Sequence, residues 1–380
     1  MHYSIHNEYR FNIMKQDLDK AVPSIELCAA CAPRKAACNA SIRDVAEKCS
    51  VSVSVVSKVM NHYRGVSADV RARVLAAAEE IGYMPNALAR GLKLNRSYNI
   101  AIVLDDETCD NLLQMYFVTI LHGLKREAER RGYVVTLITH KVGERRLSYL
   151  QHASYRNLDG IVLMCLDFYN PEVQELVDSG TPMVTIDHPF PERDCVLSDN
   201  RAGVRALIQH AVGWGHRRIA FLHGAYSFVA DARLHAFREI MSELNLPVDG
   251  DLLIPAYYHS PDHARAGIAR LLALDERPTC ILMPDDMTAL VGIQSLAREG
   301  LRVPHDLSVA GYDGVELAQM LPLPLTTVRQ DGREIGRLAA MLLIEKIENP
   351  GAAVLPPDTV GIELLPGETV GAVTAARCSI

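Results

Sequence analysis

What the chain lacks sets its first bounds. No run of about 18 apolar residues occurs, so no membrane-spanning helix is implied. It has no G-x-x-x-x-G-K-[ST] loop to cradle a phosphate, no G-x-S-x-G elbow, no H-E-x-x-H helix and no closed set of metal ligands. Catalysis has no recognisable centre, and neither a cofactor nor a metal is expected. Residues 1–40 also lack the basic-then-apolar order of a signal peptide, because Asp17, Asp19 and Glu26 interrupt it. A cytoplasmic protein is therefore expected.

Nine cysteines, an odd number scattered over 380 residues, fit reduced thiols rather than a disulfide framework. Cys28, Cys31, Cys38 and Cys49 do form a CxxC followed by two more, but the later spacing matches no zinc module. Residues 1–40 are read as a flexible extension, or as sequence upstream of a later start for which Met14 is a candidate. The length allows two to three domains at about 100 to 200 residues each, and 49% hydrophobic content suits a large core.

The most informative stretch is Ser41 to Asn61, SIRDVAEKCSVSVSVVSKVMN, two short helices joined by a tight turn. Ser41 caps the first helix with Asp44 as its capping-box acid, and Val45 and Ala46 start an apolar stripe. Cys49 and Ser50 make the turn. Ser52 caps a second helix whose Val56 and Val59 face inward, while Val53, Ser54, Ser57 and Lys58 face outward. That short, small, mixed outer face suits a helix pressed into a DNA major groove. A third helix, capped by Ser67, carries RARVLAAAEEIGY and ends at Gly82. Ser41 to Tyr98 holds nine Lys or Arg against five Asp or Glu, a net of +4 in a chain of net −7. Basic charge is thus segregated in the segment expected to meet phosphates.

From Asn99 onward apolar runs alternate with helical stretches. IAIVL (100–104), VVTLIT (134–139), GIVLM (160–164), MVTID (183–187), IAFLHG (219–224), CILMP (280–284) and LSVAGYD (307–313) read as buried parallel strands. Two successive blocks of this kind imply two doubly wound subdomains. Ligands in such folds meet the carboxyl ends of strands, which selects Asp105, Asp187, Asp285 and Asp313. The competing role for each is an ion pair or a helix cap, and Asp286 is read as such a cap.

Taken together, IRDVAEKCSVSVSVVSKVMN, VSADVRARV, GYMPNALARGL, DGIVL, SDN, GHRRIAFL, VPHDLSVAGYD and PLTTVRQ, in that order, resemble the LacI/GalR family of bacterial transcription regulators. The resemblance covers roughly residues 41 to 370 and implies a helix-turn-helix headpiece over 41–85, a hinge helix and linker over 86–98, and an effector-binding and dimerisation domain over 99–370. That domain would have the periplasmic-binding-protein architecture, with subdomains at about 99–190 plus 327–352 and about 191–326 plus 353–370, and a tail at 371–380.

The resemblance further implies that Val53, Ser54, Ser57, Lys58 and Asn61 meet DNA. Asn86 and Ala89 would belong to the hinge, and Leu92 would wedge between base steps in the minor groove. Ser50 stands where the family usually has Gly; if the turn needs a left-handed residue, Ser costs on the order of 1 kcal/mol there. For the effector the implied residues are Phe117, Asp187, Arg233, His259, Asp285 and Asp313. Asp285 departs from the family's more frequent Asn, and a further carboxylate favours a donor-rich effector such as a sugar or polyol. With no leucine heptad after Leu355 to Val370, a dimer is expected over a coiled-coil tetramer. The expectation is a homodimeric repressor, associated with the nucleoid, that binds a palindromic operator under effector control. The competing reading is a sugar-capturing protein of the same fold, against which the basic headpiece argues.

Overall fold

The computed structural model describes residues 40–61, 63–84, 96–104, 115–224, 227–258 and 260–373. The chain divides into two compact units, Met1–Arg90 and Gly91–Ile380.

Among its described residues the smaller unit holds three helices, α1 (Ile42–Lys48), α2 (Val53–Met60) and α3 (Ala68–Glu80). Each starts at a serine N-cap, Ser41, Ser52 and Ser67, whose hydroxyl accepts from the backbone amide of Asp44, Val55 and Val70 respectively. Asp44 completes the capping box by accepting from the Ser41 amide at 2.6 Å, which holds its carboxyl below the usual range. Helices this short are marginal alone, so their stability comes from a shared valine core. Val45, Val56, Val59 and Val74 are fully buried within it.

In the larger unit the order is β1 (Asn99–Val103), α4 (Met115–Arg130), β2 (Val134–Ile138), β3 (Lys141–Val142), β4 (Arg145–Arg146), α5 (Tyr149–Tyr155), β5 (Gly160–Leu163), α6 (Pro171–Asp178), β6 (Met183–Ile186) and β7 (Asp194–Ser198). There follow α7 (Asn200–Gly213), β8 (Ile219–His223), α8 (Phe228–Glu243), β9 (Leu253–Pro255), α9 (Pro261–Leu272), β10 (Cys280–Leu282), α10 (Asp286–Arg298), β11 (Ser308–Ala310) and α11 (Glu316–Gln319). The chain closes with β12 (Thr327–Gln330), α12 (Gly332–Glu348), β13 (Asp358–Val360) and β14 (Ile362–Leu365).

Two parallel sheets result, ordered β13-β7-β6-β5-β1-β2 and β11-β10-β8-β9. All seven apolar runs singled out in the sequence lie in these sheets, but β2 is not buried as expected: it is an edge strand, with Val134 63% and Leu137 39% exposed. Helix α12 returns to the first sheet and packs against α4, where a Cβ on Gly123 would lie 1.9 Å from the Arg333 carbonyl oxygen and one on Gly336 2.0 Å from that of Ile120. Only glycine admits so close a crossing.

The subdomain boundaries need correction. The expected break near 190 gives way to β7, which pairs in parallel with β6 (Val184↔Asp194) and so belongs to the first sheet. Its sequence, DCVLS, begins and ends in polar residues and gives no continuous apolar run. Asp194, 3% exposed, is held there by Lys346 at 2.8 Å and by the Leu355 amide at 2.8 Å. The expected closing stretch Leu355 to Val370 likewise divides. β13 adds to β7 in the first sheet, whereas β14 pairs antiparallel with β12.

Candidate nucleic-acid interface and ligand cleft

Helix α1 ends in a Schellman turn: the Ser50 amide donates to the Glu47 carbonyl and the Val51 amide to that of Ala46, each at 3.0 Å. This geometry needs a left-handed residue, and Ser50 supplies it at φ 51°. The turn is held from α3, because Arg73 donates to the Cys49 carbonyl at 2.6 Å. Cys49 itself is a free, buried thiol in the headpiece core, 3.5 Å from the Arg73 carbonyl oxygen, while Cys28, Cys31 and Cys38 lie outside the described residues. Arg71 is similarly occupied, donating to Tyr63 at 2.8 Å.

The outer face of α2 presents Val53, 41% exposed, with Ser54 and Lys58 also exposed. Ser57 and Asn61 are half-buried and coupled, since the Asn61 amide donates to the Ser57 carbonyl at 2.7 Å. The expected hinge residues Asn86, Ala89 and Leu92 lie outside the described residues.

In the larger unit, the residues following three parallel strands share an unusual backbone. Cys165 after β5, Asp187 after β6 and Asp313 after β11 take φ of 52°, 62° and 113°. Such conformations cost about 1 to 3 kcal/mol each and gather at functional sites. Here they gather at the carboxyl ends of the strands, where open α/β folds bind ligands.

Asp187 accepts from the Tyr116 hydroxyl at 2.8 Å through Oδ2. Its Oδ1 is buried with no hydrogen-bond partner. Burial raises the Asp187 carboxyl above its ordinary value, against the pull of the Tyr116 bond, the Arg233 charge and the Ser198 backbone amide. The Tyr116 hydroxyl is pushed well up, by burial first and then by Asp187.

Facing them is Arg233 of α8, 4% exposed. It donates to Asn200 Oδ1 at 2.7 Å, to the Pro284 carbonyl at 3.2 Å and to Gln330 Oε1 at 3.5 Å. Its guanidinium carbon sits 3.5 Å from the centre of the Tyr312 ring. Burial works against the arginine's charge, but the acidic groups around it, Tyr312, Tyr258, Asp313 and Asp187, more than offset that. Gln330 in turn donates to Asp313 Oδ1 at 2.8 Å. The Tyr312 hydroxyl is buried without a hydrogen-bond partner, and burial pushes it up to about 12.

Of the expected effector residues, the structure thus brings Asp187, Arg233 and Asp313 together. Phe117 is a correction: it is fully buried in the core of the first subdomain, and the neighbour that faces Asp187 is Tyr116. Asp285 and Asp286 also need correction, since the first and not the second is the helix cap. Asp285 caps α10, accepting from the Thr288 amide and hydroxyl at 2.7 Å each. Asp286, read as the cap, instead accepts from the Val315 amide at 2.6 Å and the Thr327 hydroxyl at 2.5 Å, tying α10 to α11 and β12. Burial, then the nearby Asp313, pushes its carboxyl well up. Asp105 and His259 lie outside the described residues. Asn200 and Gln330 are additions, and both stand in motifs already quoted, SDN and PLTTVRQ.

A serine-capped helix-turn-helix unit and a two-sheet α/β unit with a polar cluster at its strand ends define a DNA-binding regulator that answers to a small molecule, not an enzyme. Residues 41–86 match the bacterial regulatory proteins of the lacI family, and residues 208–370 the periplasmic binding protein-like domain. Among curated relatives, the HTH-type transcriptional repressor PurR of Vibrio cholerae serotype O1 is 32% identical over 317 residues, 82% of this chain and 92% of that one. The protein of the same name from Haemophilus influenzae is 30% identical over 83% of this chain and 93% of its own. Among solved structures, the lac repressor dimer bound to operator and the anti-inducer ONPF superposes with a TM-score of 0.73 at 25% identity, covering 88% of this chain and 99% of that one. The transcriptional regulator CelR in complex with cellobiose gives 0.65 at 26% identity, covering 87% and 99%. The chain belongs to the lacI family.

Proposed function

We propose that the protein is a homodimeric repressor acting in the cytoplasm on nucleoid DNA, and that its effector is a hydroxyl-rich molecule of the sugar or polyol class. The observation carrying the effector reading is the buried, unpartnered Oδ1 of Asp187. A buried carboxylate oxygen left without a donor costs about 1 to 3 kcal/mol, more when ionised, and a ligand hydroxyl removes that cost. Asp187 and Asp313 accept while Arg233 donates, the alternation that vicinal hydroxyls satisfy. Binding of cellobiose by the similar CelR supports the same class.

On the headpiece, Val53 would meet a thymine methyl, Ser54 a base edge, and Lys58 a phosphate, with Ser57 and Asn61 beside them. Asn86, Ala89 and Leu92 are assigned to the hinge on the operator. The operator-bound dimer of the similar lac repressor supports pairing. So do the exposed apolar side chains Met287 (45%) of α10, Leu317 (58%) of α11 and Met320 (68%) at the end of α11. Effector binding would change operator affinity through the subdomains, a coupling of about 1 to 3 kcal/mol in proteins of this kind. Isothermal titration calorimetry with monosaccharides, polyols and nucleobases tests the effector class. Saturable binding of a sugar or polyol that is abolished by Asp187→Ala is expected, and binding confined to nucleobases would refute the assignment.

A further inference from the structure

Where the chain enters the larger unit, residues 96–98 are held by two different elements. Arg96 donates to the Ile347 carbonyl at 3.0 Å and to that of Glu348 at 3.5 Å. These are the last residues of α12, whose final carbonyls have no partner within the helix, and a cation is favoured at that end. Asp159, directly before β5, takes the next two residues. Its Oδ1 accepts from the Ser97 amide at 2.8 Å and hydroxyl at 3.0 Å, and its Oδ2 from the Tyr98 amide at 2.7 Å. Arg96 is thus fastened to a helix and Ser97 to the sheet beneath it, where a Cβ on Gly160 would lie 2.8 Å from Leu343 Cδ1 of α12. A slide of α12 over the sheet would swing the chain at Arg96, on the side that leads to the headpiece.

The other end of α12 lies at the effector cleft. Gln330 ends β12, where it donates to Asp313 and accepts from Arg233, and Asp331 then caps α12 by accepting from the Glu334 amide at 3.0 Å. In the first turn a Cβ on Gly332 would lie 2.1 Å from Thr119 Oγ1, and Thr119 donates to the carbonyl of Tyr116, the residue that holds Asp187. The cleft ends of α4 and α12 therefore abut. With 17 residues, α12 is a rod about 25 Å long. Packed elements of this kind shift past one another as bodies, so a displacement at Gln330 is displayed at Ile347.

The corner at Arg96 also holds an incomplete hydrogen bond. The Tyr133 hydroxyl is buried there without a partner, its ring 5.3 Å from that of Tyr98. Burial first, then Glu348, Asp159 and Tyr98, push it up to about 12, with Arg96 opposing. A buried hydroxyl without an acceptor is unfavourable, and a shift that offers it a carbonyl released by Arg96 would recover that loss. Two arrangements of this corner are therefore close in free energy.

We propose that Arg96 passes the state of the effector cleft to the operator-binding unit, by tying the linker to the end of α12. The proposal rests on the effector-responsive reading above and names the contact that carries the response. Arg96 acts through α12 and is a positioning residue.

A double-mutant cycle on the full chain tests this and needs no effector. Operator affinity would be measured by anisotropy on the tightest-binding duplex of a semi-palindromic pool, for wild type, Gln330→Ala, Arg96→Ala and the double variant. Gln330→Ala should change operator affinity at least about fivefold in the wild-type background and leave it nearly unchanged in Arg96→Ala. Arg96→Lys, which keeps a cation at the carbonyls, should restore most of the response. An equal change in both backgrounds, or none in the wild type, would overturn the relay. So would an intact response in Arg96→Ala with a salt slope lowered by about one, which would make Arg96 a phosphate contact. A second arm uses glucose, galactose, ribose, sorbitol and xylitol. The tightest binder should shift operator affinity in the wild type and not in Arg96→Ala, while its calorimetric affinity without DNA stays the same. Binding by none of them would overturn the hydroxyl-rich effector, and the cycle would still decide the relay.

Discussion

Tyr116 satisfies one oxygen of Asp187 at 2.8 Å and leaves the other buried without a donor. The pair is therefore half-complete, and on the function proposed above the effector supplies the missing half. Asp187→Asn keeps the shape, removes the buried charge and turns an acceptor into a donor. The variant should lose effector affinity by at least about tenfold while keeping or raising its melting temperature, because an isolated buried charge is unfavourable. Calorimetry alongside thermal unfolding checks both, and a parallel fall in stability and affinity would mean Asp187 is structural.

The same residue predicts a pH dependence. Burial raises the Asp187 carboxyl above its ordinary 3.8. An acid raised in the folded state holds its proton more tightly there, so this group adds stability as pH falls through the raised value, fully below the unfolded one. On the function proposed above, effector hydroxyls bond to the ionised form. Between neutral pH and about 4, lowering the pH should therefore weaken effector binding, an effect absent in Asp187→Asn. Affinity that is flat in the wild type over that range would count against the assignment.

Gly203, in α7, sets the depth of the cleft floor. A Cβ there would lie 2.1 Å from the Tyr312 hydroxyl, and Tyr312 carries Arg233 on its face. Gly to Ala within a helix normally stabilises by about 1 kcal/mol. Gly203→Ala should instead destabilise, by about 1 to 3 kcal/mol as overpacked cores do, and weaken effector binding by displacing Arg233. Urea unfolding gives the sign, and a stabilised variant would contradict the rigid placement of Tyr312.

Ser50 occupies its turn at a cost. Ser50→Gly should stabilise the headpiece by up to about 1 kcal/mol, since glycine takes φ 51° without strain. Slower hydrogen exchange of the α1 to α3 amides is the readout, and unchanged protection would show that Ser50 is not strained.

Much of this was legible in the chain, and the misses have physical causes. Serine caps, Gly82 and uninterrupted apolar runs are local signals, so three helices and seven strands stood where expected. Phe117 and Tyr116 are one position apart on a helix, about 100° of rotation, and a motif register that slips by one exchanges core for cleft. Asp285 and Asp286 present the same difficulty at a strand end, where backbone direction decides which carboxylate caps the helix. Asn200 and Gln330 went unassigned because an amide has no signature until the arginine that it orients is placed. β7 was missed because Asp194 and Ser198 break its apolar run, and only Lys346, far along the chain, makes that aspartate tolerable.

Lys58 should act as a point charge on phosphate. Lys58→Ala should weaken binding to all duplexes about equally and lower the salt slope by about one, whereas Val53→Ser should change which base is preferred. Anisotropy over a salt series separates the two, and a sequence-specific loss in Lys58→Ala would reassign that residue to base reading.

One chain holds both an operator-binding unit and an effector cleft, and effector binding should change operator affinity. The direct measurement is fluorescence anisotropy of residues 41–380 on a labelled pool of semi-palindromic duplexes at fixed salt, with and without sugars, polyols and nucleobases. Binding that is saturable, stronger than to random DNA and shifted by one sugar or polyol, with Asp187→Asn abolishing the shift, is the result predicted. Effector binding with no preference for operator-like DNA would contradict it and leave a solute-capturing protein.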